Sequence, residues 1–329
     1  MDISVIVVTY NQEGTIARTL DSILAQRTDA EFEIIIGDDS SSDGTEAICR
    51  RYAAAFPRKI VYLRRESNMG VVRNYFDCIA HSHGRYLADC AGDDFWVDDS
   101  KLQRQFETLE KDREVSLVAT DWLCCDETGA DVRRYPGIPA PEGTEIFERE
   151  RLCAPLLSQK KMIHLCSALY RKDLLAAQIE SYPDIFINPA YTCEDQQILL
   201  AMASSGRIVI LPQVTLHYTV GHESVSHRRS AENRFDYSLA ALRQTLILQD
   251  HFHVSREAMS GLYTDTATHL AAMAFRTGAP ERRSRLKSLL RKTGIALARK
   301  GKLYMFLSSS PLIWKMARPI VSALRRSRE

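Results

Sequence analysis

No run of 18 apolar residues occurs in this 329-residue chain, so no transmembrane helix is expected. The N-terminus has no basic segment followed by an apolar stretch and a small-residue cleavage site. Met1-Asp2-Ile3-Ser4 passes straight into strand-like sequence, and no secretory signal is expected. The eight cysteines (Cys49, Cys78, Cys90, Cys124, Cys125, Cys153, Cys166 and Cys193) are scattered and include no Cys-x-x-Cys pair. That spacing argues against a zinc site and for reduced thiols buried as small apolar groups. No Gly-x-Gly-x-x-Gly follows the first strand, which sets a Rossmann dehydrogenase aside. No internal repeat or low-complexity tract is visible, and no recognised nucleic-acid-binding module is present.

What is present is ordinary in bulk and uneven in detail. Apolar residues make up 45% and charged residues 26%, as in a soluble globular protein. The length suits one large domain or two modest ones. The net charge of +1 hides an asymmetry: residues 281–329 hold 14 of the 43 Lys and Arg but two of the 42 acids. An acidic body with a basic tail points to an anionic partner for the tail.

Along the first 120 residues, apolar strand-like runs alternate with helical spacing. Strands are expected at Ile3 to Thr9, Phe32 to Gly37, Ile60 to Leu63, Arg85 to Cys90 and Val115 to Thr120, with helices between them. This alternation implies βαβ units and a mainly parallel sheet with its strand C-termini on one edge. Beyond residue 121 the alternation weakens into a Pro/Gly-rich surface loop at 135–143. A strand is expected at Met162 to Tyr170, a helix at Glu194 to Ser204, strand-rich sequence from Arg207 to Val220, and an almost wholly helical chain after Ser230.

The most informative segment is Tyr86-Leu87-Ala88-Asp89-Cys90-Ala91-Gly92-Asp93-Asp94-Phe95-Trp96. An apolar strand stops at a glycine and presents carboxylates at the edge where open α/β sheets bind ligands. Hard cations take one or two such carboxylates plus phosphate oxygens. Four further segments stand with it: Ile3 to Asn11; Ile34-Ile35-Ile36-Gly37-Asp38-Asp39-Ser40-Ser41-Ser42-Asp43-Gly44-Thr45; Asn68-Met69-Gly70-Val71-Val72-Arg73-Asn74; and Cys193-Glu194-Asp195. In this order and spacing, over residues 3–226, the chain resembles the family 2 glycosyltransferases.

The resemblance implies an α/β fold of GT-A type: a Rossmann-like, mainly parallel sheet flanked by helices, here with a helical C-terminal extension. Residues 1–226 are expected to form the nucleotide-sugar-binding and catalytic domain. Residues 227–329 are expected to form a helical region with a basic tail. The resemblance also implies an inverting glycosyltransferase taking a sugar from a nucleotide-diphosphate donor, UDP-linked by expectation, with Mg²⁺ or Mn²⁺. Breaking the sugar–diphosphate bond concentrates negative charge on the leaving group, which a divalent cation stabilises. Asp93 is the expected principal metal ligand, with Asp94 assisting or orienting the sugar. The acid that the family often carries at the position of Ala91 is missing, and Asp89, of the same strand parity, is a candidate substitute.

Thr9, Tyr10 and Asn11 are expected to contact the base, with Tyr10 a stacking surface. Asp39 is expected to accept hydrogen bonds from base or ribose, and Arg73 to bind phosphate. Asp195 is the expected general base at a helix N-terminus, where an acid is kept ionised. Glu194 supports the loop or touches the donor sugar. His222, in a segment resembling the family's late Tyr-Arg-x-His element, is expected to reach the metal or diphosphate. Trp96 lines the acceptor site or fills the core.

The tail carries Leu303-Tyr304-Met305-Phe306-Leu307 and Pro311-Leu312-Ile313-Trp314-Lys315-Met316 among many Lys and Arg. Such sequence suits either an anionic membrane surface or a helical layer with a basic outer face. The expected acceptor is a glycan or lipid-linked glycan of bacterial surface polysaccharide synthesis. The expected location is the cytoplasm, peripheral to the inner face of the membrane. Two other readings stay open: a catalytically silent sugar-nucleotide-binding or scaffold protein, which Ala91 keeps alive, and a nucleotidyltransferase, disfavoured because no Gly-rich loop with a lysine stands near the N-terminus. The oligomeric state and the donor sugar are not legible.

Overall fold

The computed structural model describes residues 1–221 and 231–326. Its strands and helices run in chain order as β1 (Ile3–Thr9), α1 (Ile16–Leu24), β2 (Phe32–Asp38), α2 (Thr45–Ala55), β3 (Ile60–Arg64), α3 (Val71–Ala80), β4 (Tyr86–Asp89), β5 (Phe95–Trp96), α4 (Lys101–Lys111) and β6 (Val115–Cys125). After these come β7 (Glu145–Phe147), α5 (Cys153–Leu157), β8 (Leu169–Arg171), α6 (Lys172–Ser181), α7 (Pro183–Phe186), α8 (Asp195–Ser205) and β9 (Arg207–Thr219). The strands form one sheet in the order β3-β2-β1-β4-β8-β6-β9-β5, with β7 also pairing β9.

The first half of the sheet is parallel; β1, β2 and β4 are buried on both faces, as strands covered by crossover helices must be, while the edge strand β3 is partly exposed. α1 turns Ile16, Leu20 and Ile23 into the core at helical spacing. Register places the site. Thr9 pairs with Asp38, whereas β4 reaches only as far as Asp89 opposite Ile6. The last three residues of β1 therefore extend past β4, and the Cys90–Asp94 turn runs beside them. Cys90 N–H donates to the Ile6 carbonyl at 3.1 Å, and Gly92 N–H to the Val8 carbonyl at 3.1 Å.

The expected strand at Met162 to Tyr170 is largely absent. Only Leu169–Arg171 is extended, as β8, antiparallel to both β4 and β6. Residues Leu165–Ser167 make a 3-10 turn instead, because the His164 ring accepts the Cys166 N–H and the His164 carbonyl accepts the Ser167 N–H. All eight cysteines are free thiols and seven are buried.

The chain divides into two compact units, Met1–His222 and Glu223–Glu329. The second contains α9 (Ala231–His251), α10 (Arg256–Thr277), α11 (Pro280–Thr293), α12 (Arg299–Leu307) and α13 (Pro311–Arg326). α10 is its axis, burying Met259, Tyr263, Ala267, Leu270 and Phe275. Gly278 closes α10 in the left-handed region, and a Cβ there would lie 2.3 Å from the Trp314 ring. Trp314 Nε1 donates to the Phe275 carbonyl at 2.6 Å, fixing α13 on α10. Among the described residues no helix is long and apolar enough to cross a membrane.

Candidate active site

The C-terminal ends of β1, β2 and β4 carry the first set of predicted residues. Thr9 is buried, and its hydroxyl donates to Gln12 Oε1 at 2.8 Å. Tyr10 is 48% exposed, which leaves its ring face open for stacking. Asn11 adopts a positive φ of 52°; its N–H donates to Ser41 Oγ at 2.9 Å, and its Oδ1 accepts the Ser42 N–H at 2.7 Å. These bonds tie the β1–α1 loop to the β2–α2 loop. Asp39 is 4% exposed, and its two oxygens accept the N–H groups of Met69 at 2.7 Å and Gly70 at 3.0 Å. It clamps the Asn68-Met69-Gly70 segment to the end of β2. Arg73 stands exposed on the first turn of α3. Its neighbour Asn74 is buried, donating to the Gly37 carbonyl at 2.8 Å and accepting from Arg65 Nε at 2.8 Å.

The two aspartates of the central turn face different ways. Asp93 is half-buried. Asp94 is 1% exposed, and its Oδ1 accepts the Thr219 N–H at 2.9 Å. The Thr219 hydroxyl bonds the Asp93 carbonyl, so the end of β9 holds both residues of the turn. His164 Nδ1 accepts the Cys166 N–H at 3.3 Å, which puts the ring proton on Nε2, 3.9 Å from Asp94 Oδ2. Burial pushes His164 down to about 4, keeping the ring neutral. Burial, with Asp93 alongside, raises the Asp94 carboxyl well above its usual range, while the Thr219 N–H and the Cys166 thiol oppose the rise.

Ligand atoms of Asp94, His164 and Cys166 lie within 4.8 Å of one another. The Cys166 sulfur already accepts the Ala91 N–H at 3.3 Å, and burial holds the thiol protonated. Sulfur ligates as thiolate, so this trio reads as a hydrogen-bonded prop beneath the turn. A hard cation takes oxygen, and the half-buried Asp93 carboxylate is the oxygen donor that fits one.

Glu194 and Asp195 occupy the N-cap and first position of α8. Glu194 is 7% exposed, and its Oε2 has no hydrogen-bond partner. Asp195 is half-buried, and burial raises its carboxyl to about 6. With Asp89, Ala91, Tyr75 and Cys166 these two residues line a small cavity. A larger hollow of about 280 Å³, bounded by Lys111, Ile146 and Arg207, shares none of these residues.

The structure thus gathers Ala91, Glu194 and Asp195 at one cavity and places Thr9, Asn11 and Asp39 in a neighbouring loop network. His222 lies outside the described residues. Trp96 belongs to the core: it is 4% exposed, its Nε1 donates to the Cys166 carbonyl at 2.9 Å, and the Lys101 ammonium nitrogen lies 4.1 Å from its ring centroid. Asp89, the candidate substitute for the missing acid, is enclosed in β4 at 4% exposure. Sequence reasoning missed His164 and the Tyr75–Tyr170 hydroxyl pair, which comes together only through the β4–β8 pairing. The signal available for Asp89 was a lone acid in an otherwise apolar strand.

Residues 4–177 match the sequence model of the family described as Glycosyl transferase family 2. An uncharacterized protein of Mycobacterium tuberculosis is 30% identical over 263 residues, covering 78% of this chain and 71% of that one. The putative teichuronic acid biosynthesis glycosyltransferase TuaG of Bacillus subtilis is 34% identical over 141 residues, covering 43% of this chain and 53% of TuaG. Among solved structures, S. aureus TarS 1-349 in complex with UDP-GlcNAc superposes with a TM-score of 0.58 at 18% identity, covering 94% of this chain and 91% of that chain. TarS 1-349 has also been solved in complex with UDP.

Proposed function

The chain belongs to glycosyltransferase family 2, and from that premise we propose an inverting transferase that moves a hexosyl or N-acetylhexosaminyl group from a UDP-linked donor. The proposed acceptor is a glycan or lipid-linked glycan of bacterial cell-surface polysaccharide. The fold is of the GT-A type that the sequence motifs imply. The observation that carries the reading is the placement of Asp195 and Glu194 at a cavity shared with Ala91, one residue before the Gly92-Asp93-Asp94 turn. The UDP and UDP-GlcNAc complexes of TarS support a UDP-linked donor, and the teichuronic acid role in the name of TuaG supports a surface-polysaccharide product.

In this reading Asp195 takes the proton of the acceptor hydroxyl as that oxygen attacks the anomeric carbon opposite the diphosphate. A carboxyl raised to about 6 remains mostly ionised at neutral pH and is a stronger base than an ordinary aspartate. Tyr10 stacks on the base. Thr9, Asn11 and Asp39 hold the loops that frame it, and Arg73 meets a phosphate. Asp93 would hold the divalent cation, Mg²⁺ or Mn²⁺, which when bound offsets charge on the leaving diphosphate. Asp93 and Asp195 both lie near enough to Asp94 to raise its carboxyl, and carboxylates so placed give an anionic donor reason to arrive with a cation. Asp94 acts from below, fixing the turn through Thr219.

The deciding experiment measures UDP release from a panel of UDP-sugars with Mn²⁺, for wild type and Asp195→Asn. Turnover is expected to fall by about 10²- to 10⁴-fold in the variant, with UDP affinity unchanged. A variant that turns over like wild type overturns the assignment of the base. UDP binding without turnover on any donor favours the silent reading that Ala91 keeps open, and pyrophosphate formation favours a nucleotidyltransferase. We further propose that the second unit rests on an anionic membrane from the cytoplasmic side. Support comes from Leu303, Phe306, Leu312 and Met316, which are 51–71% exposed among Lys300, Lys302, Lys315 and Arg318.

A further inference from the structure

Asp89 is the strongest unexplained feature of the first unit. It closes β4 and is 4% exposed; its carboxylate oxygens make no hydrogen bond of good geometry, and the Tyr75 and Tyr170 hydroxyls, bonded to each other, stand close enough only to ease its charge. Buried polar atoms are rarely left so, because each unmade bond costs its full desolvation. A third orphan, Glu194 Oε2, lines the same cavity. That cavity measures about 20 Å³, and about 10–15 Å³ is enough for one water. A buried water makes about three hydrogen bonds, which matches the three unpartnered oxygens. The carboxylates of Asp89, Glu194 and Asp195 are not among the sets whose ligand atoms converge within 4.8 Å, so water fits the space better than a directly ligated ion.

We propose that this cavity holds one buried water joining Asp89 to Glu194, and that through it Asp89 is a positioning residue for the adjoining Asp195. The proposal rests on the reading of Asp195 as general base. Apart from β1, which offers Ile6 and Val8, every element around Asp89 contributes a polar or titratable group. Tyr75 of α3 and Tyr170 of β8 share a short hydroxyl–hydroxyl bond, Glu194 and Asp195 come from the start of α8, Lys101 comes from α4, and the thiols of Cys90 and Cys166 lie close by. Burial raises Asp89 to about 7, with Asp195 adding to the rise and the two tyrosines and Lys101 opposing it. Below that pH Asp89 is a neutral acid, and its O–H donates to the water. The water donates in turn to Glu194 Oε2, holding the residue before Asp195 in place. Asp195, at about 6, ionises first, and its charge helps to keep the proton on Asp89.

The test compares wild type, Asp89→Asn, Asp89→Leu and Asp195→Asn. Crystal structures of wild type and Asp89→Asn are expected to show one water in the cavity, and Asp89→Leu none; a dry wild-type cavity overturns the proposal. In carboxyl-¹³C aspartate NMR, the resonance lost in Asp89→Asn is expected to be still protonated at pH 6. The same Asp89 resonance is expected to titrate at lower pH in Asp195→Asn, where the neighbouring charge is gone. An Asp89 resonance already ionised at pH 5, or an Asp89 titration identical in wild type and Asp195→Asn, overturns it. UDP release from UDP-N-acetylglucosamine with Mn²⁺ is expected to fall about tenfold in kcat for Asp89→Leu with the donor KM unchanged, and to stay within threefold for Asp89→Asn. If Asp89→Leu does not fold, the wild-type crystal structure and the Asp89 titration decide. Wild-type turnover in Asp195→Asn sinks the base reading and this proposal together. Lost turnover there, with the Asp89 titration unmoved from wild type, sinks this proposal only.

Discussion

Gly92 sets how closely the aspartate turn lies on the first strand. A Cβ at this position would stand 2.4 Å from Gln12 Oε1 and 2.8 Å from Thr9 Oγ1, while the Gly92 carbonyl accepts the Thr15 hydroxyl at 2.8 Å. Gln12 can swing aside; Thr9 is buried in β1 and cannot. Gly92→Ala is therefore expected to lose about 1–3 kcal/mol by overpacking. It should also weaken the Mn²⁺-dependent thermal shift by UDP, because Asp93 is the next residue. Urea unfolding and a thermal-shift titration check both. At this scale the residue types were legible and their partners were not. Asp39 is a strand-end carboxylate in any reading, yet its two oxygens are taken up by the Met69 and Gly70 N–H groups, thirty residues away. Asn11 likewise spends its side chain on Ser42. Nothing in a local segment states which distant backbone it will meet.

At the scale of elements, α4 carries a buried amine. Lys101 is fully buried, its ammonium donating to Gln105 Oε1 at 2.8 Å, while Gln105 Nε2 reaches the carbonyls of Val118 at 2.7 Å and Ser167 at 2.8 Å. The network binds α4 to β6 and to the 3-10 turn below the site. Burial lowers Lys101 from 10.5 to about 7. Between those values the unfolded chain binds the proton that the folded chain has released, so this residue makes stability rise with pH across that window. Below about 7 both states are protonated and the full cost of a buried charge remains. Lys101→Met is expected to remove the slope and to stabilise the fold at pH 6 by a few kcal/mol, on the order of the shift. Denaturant midpoints at pH 6 and pH 9.5 for both proteins test this; a parallel pH dependence in the two counts against it. The elements themselves were read correctly where burial on both faces makes a strand uniformly apolar, as in β1 and β2. They were missed where the strand is two or three residues long, as in β5 and β7, and begun too early at β8, because pairing with β9, β4 and β6 makes those residues extended rather than their own composition.

For the whole molecule, charge is distributed by unit rather than by residue. Thirteen of the 14 basic residues of 281–329 fall on helices α11 to α13. In α13, Trp314 packs against Phe275, while Leu312 and Met316, one helical turn apart, are 71% and 68% exposed. In α12, Tyr304 meets the Phe275 ring at 5.4 Å, while Leu303 and Phe306 are 51% and 63% exposed. Each helix therefore turns one aromatic toward α10 and leaves apolar side chains outside, beside Lys and Arg. Water gives no reason for that arrangement, whereas an anionic interface takes up both kinds of residue. Each Lys or Arg near such a surface contributes about 1 kcal/mol at low salt, and the attraction fades as the Debye length shortens. The full chain is expected to sediment with vesicles containing phosphatidylglycerol and not with phosphatidylcholine alone, and to be partly released by 0.5 M NaCl. The double variant Leu312→Glu, Met316→Glu is expected to stay in the supernatant while keeping the UDP-induced thermal shift of wild type, since the exchanged side chains are exposed and belong to the second unit. Wild-type binding to both vesicle types, or undiminished binding of the double variant, would leave the basic helices as an outer layer of the second unit with no lipid to meet.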